Sequence, residues 1–324
     1  MIVLKNPQNG EKIDLLTEEQ IKFLESDRSQ ITVENFDYLD LKVQADQDCS
    51  LAKEVRFEWE AEGESTVQIS ESEDFSEYYS QTGNNCCDIA NFKCNTKYFW
   101  RVVCGDEISD TFCFYTEDKY PRFITVGGIT NVRDFGGRQT VDGRRIRQGL
   151  LYRGSEMHPH LNITDDGMKT MKEVLKIKSI LDLRGSTEVV EDVYHENYIN
   201  VPTRGYITWF ENPDATKQIF EFLADEKNYP IYFHCWGGAD RTGTVAFLAG
   251  ALLGQSYDAL VDEYEITTLS IWGVRSRNAE QYTPFIDKIN SFEGDTLAEK
   301  VKNHLLTCGV AEEAIEKFRN IMLV

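Results

Sequence analysis

Near Tyr120-Pro121 the periodicity of the chain changes, and this constrains the fold more than any other feature of its 324 residues. Ahead of that point apolar residues recur at every second position. In Val55-Arg56-Phe57-Glu58-Trp59-Glu60 they fall at 55, 57 and 59, the pattern of a strand with one buried face. Strand-like runs at 40–45, 66–70, 98–104 and 111–116 are separated by turn signals such as Gly83-Asn84-Asn85 and Gly105-Asp106. Short strands so spaced predict an all-β sandwich over residues 30–118. A polar extension over 1–29 precedes it, with one short helix at 17–25 opened by a Thr cap. Beyond Pro121 helical and strand patterns alternate, which predicts an α/β domain over residues 119–324. Thr164 caps a helix to about Lys176, and 179–183 is an apolar strand. Asn212-Pro213-Asp214 opens a helix to about Asp225. A strand at 230–233, helices at 242–253 and 256–269, and a helical tail interrupted near Gly294 and Gly309 complete the reading.

The net charge of -21 is uneven. Residues 1–118 hold 10 Lys+Arg against 26 Asp+Glu, and residues 119–324 hold 24 against 29. So acidic a front half argues against nucleic acid or an anionic membrane as partner. No apolar run approaches the roughly 18 residues of a membrane span. The N-terminus lacks the basic start and apolar stretch of a signal peptide, so the expected location is cytoplasmic, or secreted if a leader has been removed. Of eight cysteines, Cys86, Cys87, Cys94, Cys104 and Cys113 crowd the front half, and no pair has zinc-ribbon spacing. They are read as free thiols, which suits a reducing compartment, and no metal or cofactor is expected. Arg133, Arg138, Arg144, Arg145, Arg147 and Arg153 form a basic cluster, either a solvated hairpin face or the rim of an anion site.

The segment His234-Cys235-Trp236-Gly237-Gly238-Ala239-Asp240-Arg241-Thr242-Gly243 joins an expected strand to an expected helix. A tight loop entering a helix N-terminus turns its N–H groups inward, making a cradle for a tetrahedral anion. Trp236 to Arg241 would line it. The amides, the helix dipole and Arg241 favour a thiolate at Cys235. Arg241 carries the planar fork that grips two phosphoryl oxygens, and Gly237 and Gly238 permit the turn. A Cys and an Arg six positions apart should occur by chance about 0.4 times in such a chain, but adding Gly238, Thr242 and Gly243 lowers this to roughly two in ten thousand.

HCWGGADRTG resembles the phosphate loop of cysteine-based tyrosine phosphatases, in the atypical bacterial branch whose loop reads HCxxGKDRTG. Further stretches match that branch: Asn131 to Gly137 (NVRDFGG), Leu151 to Glu156 (LYRGSE), Leu181-Asp182-Leu183-Arg184 and Asp262-Glu263-Tyr264, so the resemblance spans about residues 120–324. Separately, FEWEAEG, TVQISESEDF, NTKYFWRVV and TFCFYTED make residues 30–117 similar to the fibronectin type III family, a binding or spacing module.

The phosphatase resemblance implies a metal-independent phosphomonoesterase, most directly a protein-tyrosine or dual-specificity phosphatase, acting through a phosphocysteine on Cys235 with Arg241 on the phosphoryl oxygens. The alternatives are an inositol phosphate or phosphoinositide phosphatase, or an inactive phosphate-binding module. Thr242 would donate to the Cys235 sulfur and His234 would orient the loop. Arg133, Asp134, Asp182 and Arg184 would be ion-pair scaffolding. Two departures matter. Ala239 replaces the branch's loop lysine, which disfavours polyphosphorylated substrates. The stretch 200–206 lacks the expected acidic residue, leaving Asp240 as first choice for the general acid, against Glu211 or Asp214. The implied partners are a phosphorylated protein or small phosphomonoester, and a protein or glycan for the sandwich.

Overall fold

The computed structural model describes residues 1–32, 47–189, 193–194 and 197–324. Its contacts gather into two units, Met1–Thr17 with Ala52–Phe123, and Glu18–Leu51 with Ile124–Val324. Residues 18–29, expected in an extension, and the described part of 30–51, expected to open the sandwich, thus belong to the second unit. The cause is local. Arg28, buried, pairs with Glu265 at 3.0 Å and with Asp262, and the Asn131 N–H donates to Ser50 Oγ at 3.0 Å. The strand expected at 40–45 lies outside the described residues.

In the first unit Val3–Asn6, Val55–Glu60 and Cys86–Ile89 form one sheet. Glu11–Ile13, Phe112–Thr116, Lys97–Cys104, Ser65–Ser70 and Tyr79–Gly83 form the other. Val55–Glu60 alternates buried and exposed throughout, as its sequence requires. Phe57 and Trp59 from one sheet and Val67, Ile69, Trp100, Val102 and Phe114 from the other share a single core. Phe57 meets Trp100 edge to face at 5.2 Å, and the buried Trp59 N–H finds Ser65 Oγ at 2.6 Å.

In the second unit the strands Arg133–Asp134, Leu151–Gly154, Ile231–His234, Ser179–Asp182 and Asn197–Asn200 are successive neighbours, the last three pairings parallel. The middle three are buried along their whole length, as parallel strands covered on both faces are. Alternate residues feed opposite layers. Leu151, Leu181, Ile231 and Phe233 pack with residues of the helices Pro213–Leu223, Asp240–Leu253, Leu297–Thr307 and Glu312–Met322. Tyr152, Ile180 and Tyr232 pack with Val126, Val132, Met171, Leu175 and Ile177. The helix expected at 164–176 is α only over Asp165–Lys169 and continues as a π turn over Thr170–Val174. The one expected over 256–269 is α over Tyr257–Glu265 and then 3-10 over Ile266–Leu269. Among the described residues no helix is long and apolar enough to cross a membrane. The eight cysteines are free.

Register decides where the chemistry sits. Gly154 pairs with His234, and His234 with Asp182, so three strands end level. The loops that follow them leave the same edge of the sheet, where parallel α/β sheets build their sites.

Candidate active site

The loop from Cys235 to Ala239 runs from the strand Ile231–His234 into the helix Asp240–Leu253. Each of its first four carbonyls is held from outside. His234 Nδ1 lies 3.0 Å from the Cys235 oxygen. The Glu156 N–H donates to Trp236 O at 2.8 Å, Asn131 Nδ2 donates to Gly237 O at 3.0 Å, and Arg153 Nη2 donates to Gly238 O. In a trans peptide the carbonyl and the following N–H point in opposite directions. Anchoring these carbonyls outward therefore turns the N–H groups of Trp236, Gly237, Gly238 and Ala239 inward, and none donates to a backbone carbonyl among the described residues. The helix that follows has no side-chain cap. Unpaired donors at a helix N-terminus are an anion receptor. Gly238 has φ +66°, and a Cβ there would lie 2.3 Å from the Gly154 oxygen, so only glycine closes this turn.

Cys235 sits buried at the base of the ring of amides. Arg241, the second residue of the helix, donates from Nη1 to Glu188 Oε2 at 2.5 Å. Burial disfavours its charge, yet Glu188 and Cys235 beside it raise its pKa above the ordinary arginine value. Arg241 in turn lowers the pKa of the Glu188 carboxyl. Thr242, expected to donate to the Cys235 sulfur, is buried with its hydroxyl unpartnered among the described residues. His234 is buried, and that burial lowers its pKa, while its Nδ1 lies against the Cys235 carbonyl.

Beneath the loop lies a floor of buried ion pairs. Glu263 accepts from Arg133 Nε at 3.0 Å and from Arg153 Nη1 at 3.1 Å. Although burial works against its charge, these arginines lower its pKa, while burial and the repulsion of Arg133 bring Arg153 down to about 10. Arg184 grips Asp182 at 2.7 Å and Glu156 at 2.8 Å. Asp134 is elsewhere, its oxygens accepting from the Gly136 and Gly149 N–H groups to hold a turn. The basic cluster divides. Arg133 and Arg153 belong to the floor, Arg144 pairs with Asp142, and Arg145 and Arg147 donate to the carbonyls of Gly137 and Leu323.

The rim is aromatic. The Trp236 side chain is 42% exposed, and the His160 ring lies 4.3 Å from it, centre to centre. The Trp272 ring stands 6.3 Å from that of Trp236, edge to face. Asp240, first choice for the acid, is engaged: Arg275 donates to its two oxygens at 2.9 and 3.2 Å, and the Tyr206 hydroxyl donates to Oδ1. Both of its oxygens are thus engaged as acceptors. Glu211 meets Arg204 at 3.4 Å in solvent, and Asp214 is exposed in the first turn of the helix Pro213–Leu223. Ala239 is buried. Glu188, His160, Trp272 and Arg275 escaped the sequence reading. Only their places in loops at the shared sheet edge, or against the loop, bring them here.

The profile of the tyrosine phosphatase family matches residues 124–323. A protein of Cupriavidus necator whose name assigns it to the tyrosine-protein phosphatases is 29% identical over 171 residues, 42% of this chain and 59% of its own length. The chain therefore spans less than two thirds of that relative. The core catalytic domain of the PP-IP phosphatase Siw14 from S. cerevisiae, in complex with citrate, is 19% identical and covers 47% of this chain and 83% of its own, with a TM-score of 0.33. A second structure of the Siw14 catalytic core is 21% identical and covers 48% and 88%, with a TM-score of 0.33.

Proposed function

Because the chain belongs to the tyrosine phosphatase family, we propose that it hydrolyses aryl phosphomonoesters, phosphotyrosine in proteins above all, through a phosphocysteine on Cys235. One observation carries this reading: the four outward-anchored carbonyls that leave an inward ring of N–H groups over the Cys235 thiol, with Arg241 beside it. Such a ring matches the equatorial oxygens of a phosphoryl group as charge builds on them. The Cys235 sulfur attacks phosphorus as the ester P–O bond breaks, and the leaving oxygen takes a proton. Water then attacks phosphorus, the S–P bond breaks, and inorganic phosphate departs. Arg241 spans two oxygens with its fork once the phosphoryl group displaces Glu188.

Substrate class follows from the rim. Trp236, Trp272 and the His160 ring offer flat apolar faces to the group that carries the phosphate, and Arg275, a rim cation, is already paired with Asp240. A phenyl ring suits that mouth better than a second phosphate. The first unit, similar to fibronectin type III modules, is read as a binding or spacing module for the phosphorylated partner or a glycan. Cys235→Ser tests the chemistry. It should lower turnover to below about a thousandth while retaining phosphate affinity, since the hydroxyl is not ionised at neutral pH. Turnover of an aryl phosphate in chelator, with 32P trapped on the parent protein but not on the variant, is the expected result. Comparable turnover by the variant would remove Cys235 from the mechanism.

A further inference from the structure

The phosphatase reading leaves one role open, the donor of the proton to the leaving oxygen, and we propose that it is His160. Its ring is oriented by a buried carboxylate. His160 Nδ1 lies 2.7 Å from Glu156 Oε1, and the His160 N–H donates to the same oxygen at 2.9 Å. Glu156 is 1% exposed and is itself fixed by Arg184 Nη1 at 2.8 Å on its other oxygen. Nδ1–H therefore faces Glu156, and Nε2 takes the opposite edge of the ring. Nε2 has no hydrogen-bond partner among the described residues, and the His160 side chain is 52% exposed. Imidazole held on one nitrogen by a buried carboxylate, with the other presented outward, is the arrangement by which histidine moves protons in hydrolases.

The dyad stands against the anion cradle itself. The Glu156 N–H is one of the four anchors of the loop, on Trp236 O, and the His160 ring lies tilted by 33° against the side chain of Trp236, the residue next to Cys235. A phosphoryl group on the amide ring places its leaving oxygen on the open side of the loop, the side that Trp236 and His160 line. The charged groups facing this histidine are Glu156 directly and Arg184 behind it; His158 turns its Nδ1 to Asn162 at 2.9 Å. In the first step the Sγ–P bond forms, the ester P–O bond breaks, and the Nε2 proton of the imidazolium passes to the leaving oxygen. In the second, water forms a bond to phosphorus, the S–P bond breaks with its electron pair returning to sulfur, and the water proton passes to Nε2.

The test compares kcat/KM, which reports cysteine phosphorylation, for phenyl phosphate and 4-nitrophenyl phosphate in the full chain, its His160→Gln variant and its His160→Phe variant. Phenoxide needs a proton to leave, and 4-nitrophenoxide needs little help. Both variants should lose about a hundredfold or more on phenyl phosphate and less than about tenfold on 4-nitrophenyl phosphate. His160→Phe keeps a ring on Trp236, so its agreement with His160→Gln separates proton transfer from ring contact. Equal losses on both esters, or a His160→Phe variant that keeps the parent's rate on phenyl phosphate, overturn the assignment of His160 alone. A parent protein inert toward both esters overturns the phosphatase reading and the assignment with it.

Discussion

The arginines under the loop and those on its rim are built differently, and the difference separates folding from function. Arg133 and Arg153 share Glu263, and Arg184 holds Asp182 and Glu156, all with side chains at most 8% exposed. Arg241 and Arg275 are 19% exposed, and their partners Glu188 and Asp240 are 41% and 42% exposed. A buried pair is costly to break, because the charge left behind has no solvent. A rim pair exchanges its partner for water or a substrate oxygen with little penalty. The floor thus fixes the amide ring, and the rim remains free to meet a ligand.

The sharpest way to break the contrast is Glu263→Gln. It leaves two guanidiniums without their shared anion and should cost about 3–5 kcal/mol in chemical denaturation. A loss below about 1 kcal/mol would show that the floor relaxes and is no different from the rim. Arg241→Lys should do the reverse. Its folding stability should stay close to the parent's, while kcat/KM on an aryl phosphate falls at least about a hundredfold, roughly 3 kcal/mol, because a point charge loses the two-point grip. A lysine variant with most of the parent's rate would place Arg241 among ordinary helix-start residues.

The floor should also show in acid. Burial works against the Asp182 carboxylate, but His234 and Arg184 hold its pKa down at about 2, below the ordinary aspartate value of 3.8. The folded state then binds fewer protons than the unfolded state between those values. Its stabilisation is complete above about pH 4 and is lost as pH falls toward 2, an effect on the order of 2 kcal/mol. Asp182→Asn should flatten that part of the stability–pH curve, and an unchanged slope would exclude Asp182 as its source. The smallest effect is expected for Asp240→Asn. It frees Arg275 and should slow phenyl and 4-nitrophenyl phosphate alike, by no more than about tenfold. A loss confined to phenyl phosphate would return the acid role to Asp240.

Much of this was legible in the sequence, and the boundary is instructive. Alternation in Val55–Glu60 gives its strand to the residue, because one face is core and the other water. The loop 235–239 is legible because glycines and an arginine at fixed offsets have few other uses. The helix after it was expected from 242 but begins at Asp240. Helix starts are found by their side-chain caps, and this one has none. Glu188, His160 and Arg275 carry no periodic or spacing signal. They arrive in loops whose meeting is fixed by strand register or by packing against the loop, which a linear reading does not contain. The described residues within 18–51 fall with the second unit for the same reason: Arg28 finds Asp262 and Glu265 more than two hundred positions away.

The outward anchors of the amide ring come from Asn131, Arg153, Glu156 and His234, four places along the chain. An unfolded or half-assembled chain holds no such ring, so an oxyanion that fits it binds the native state alone. Inorganic phosphate, the product of the proposed reaction, is by mass action also a folding ligand, adding about 2.7 kcal/mol at a hundred times its dissociation constant. Phosphate would then inhibit the proposed reaction and preserve the fold through the same four amides.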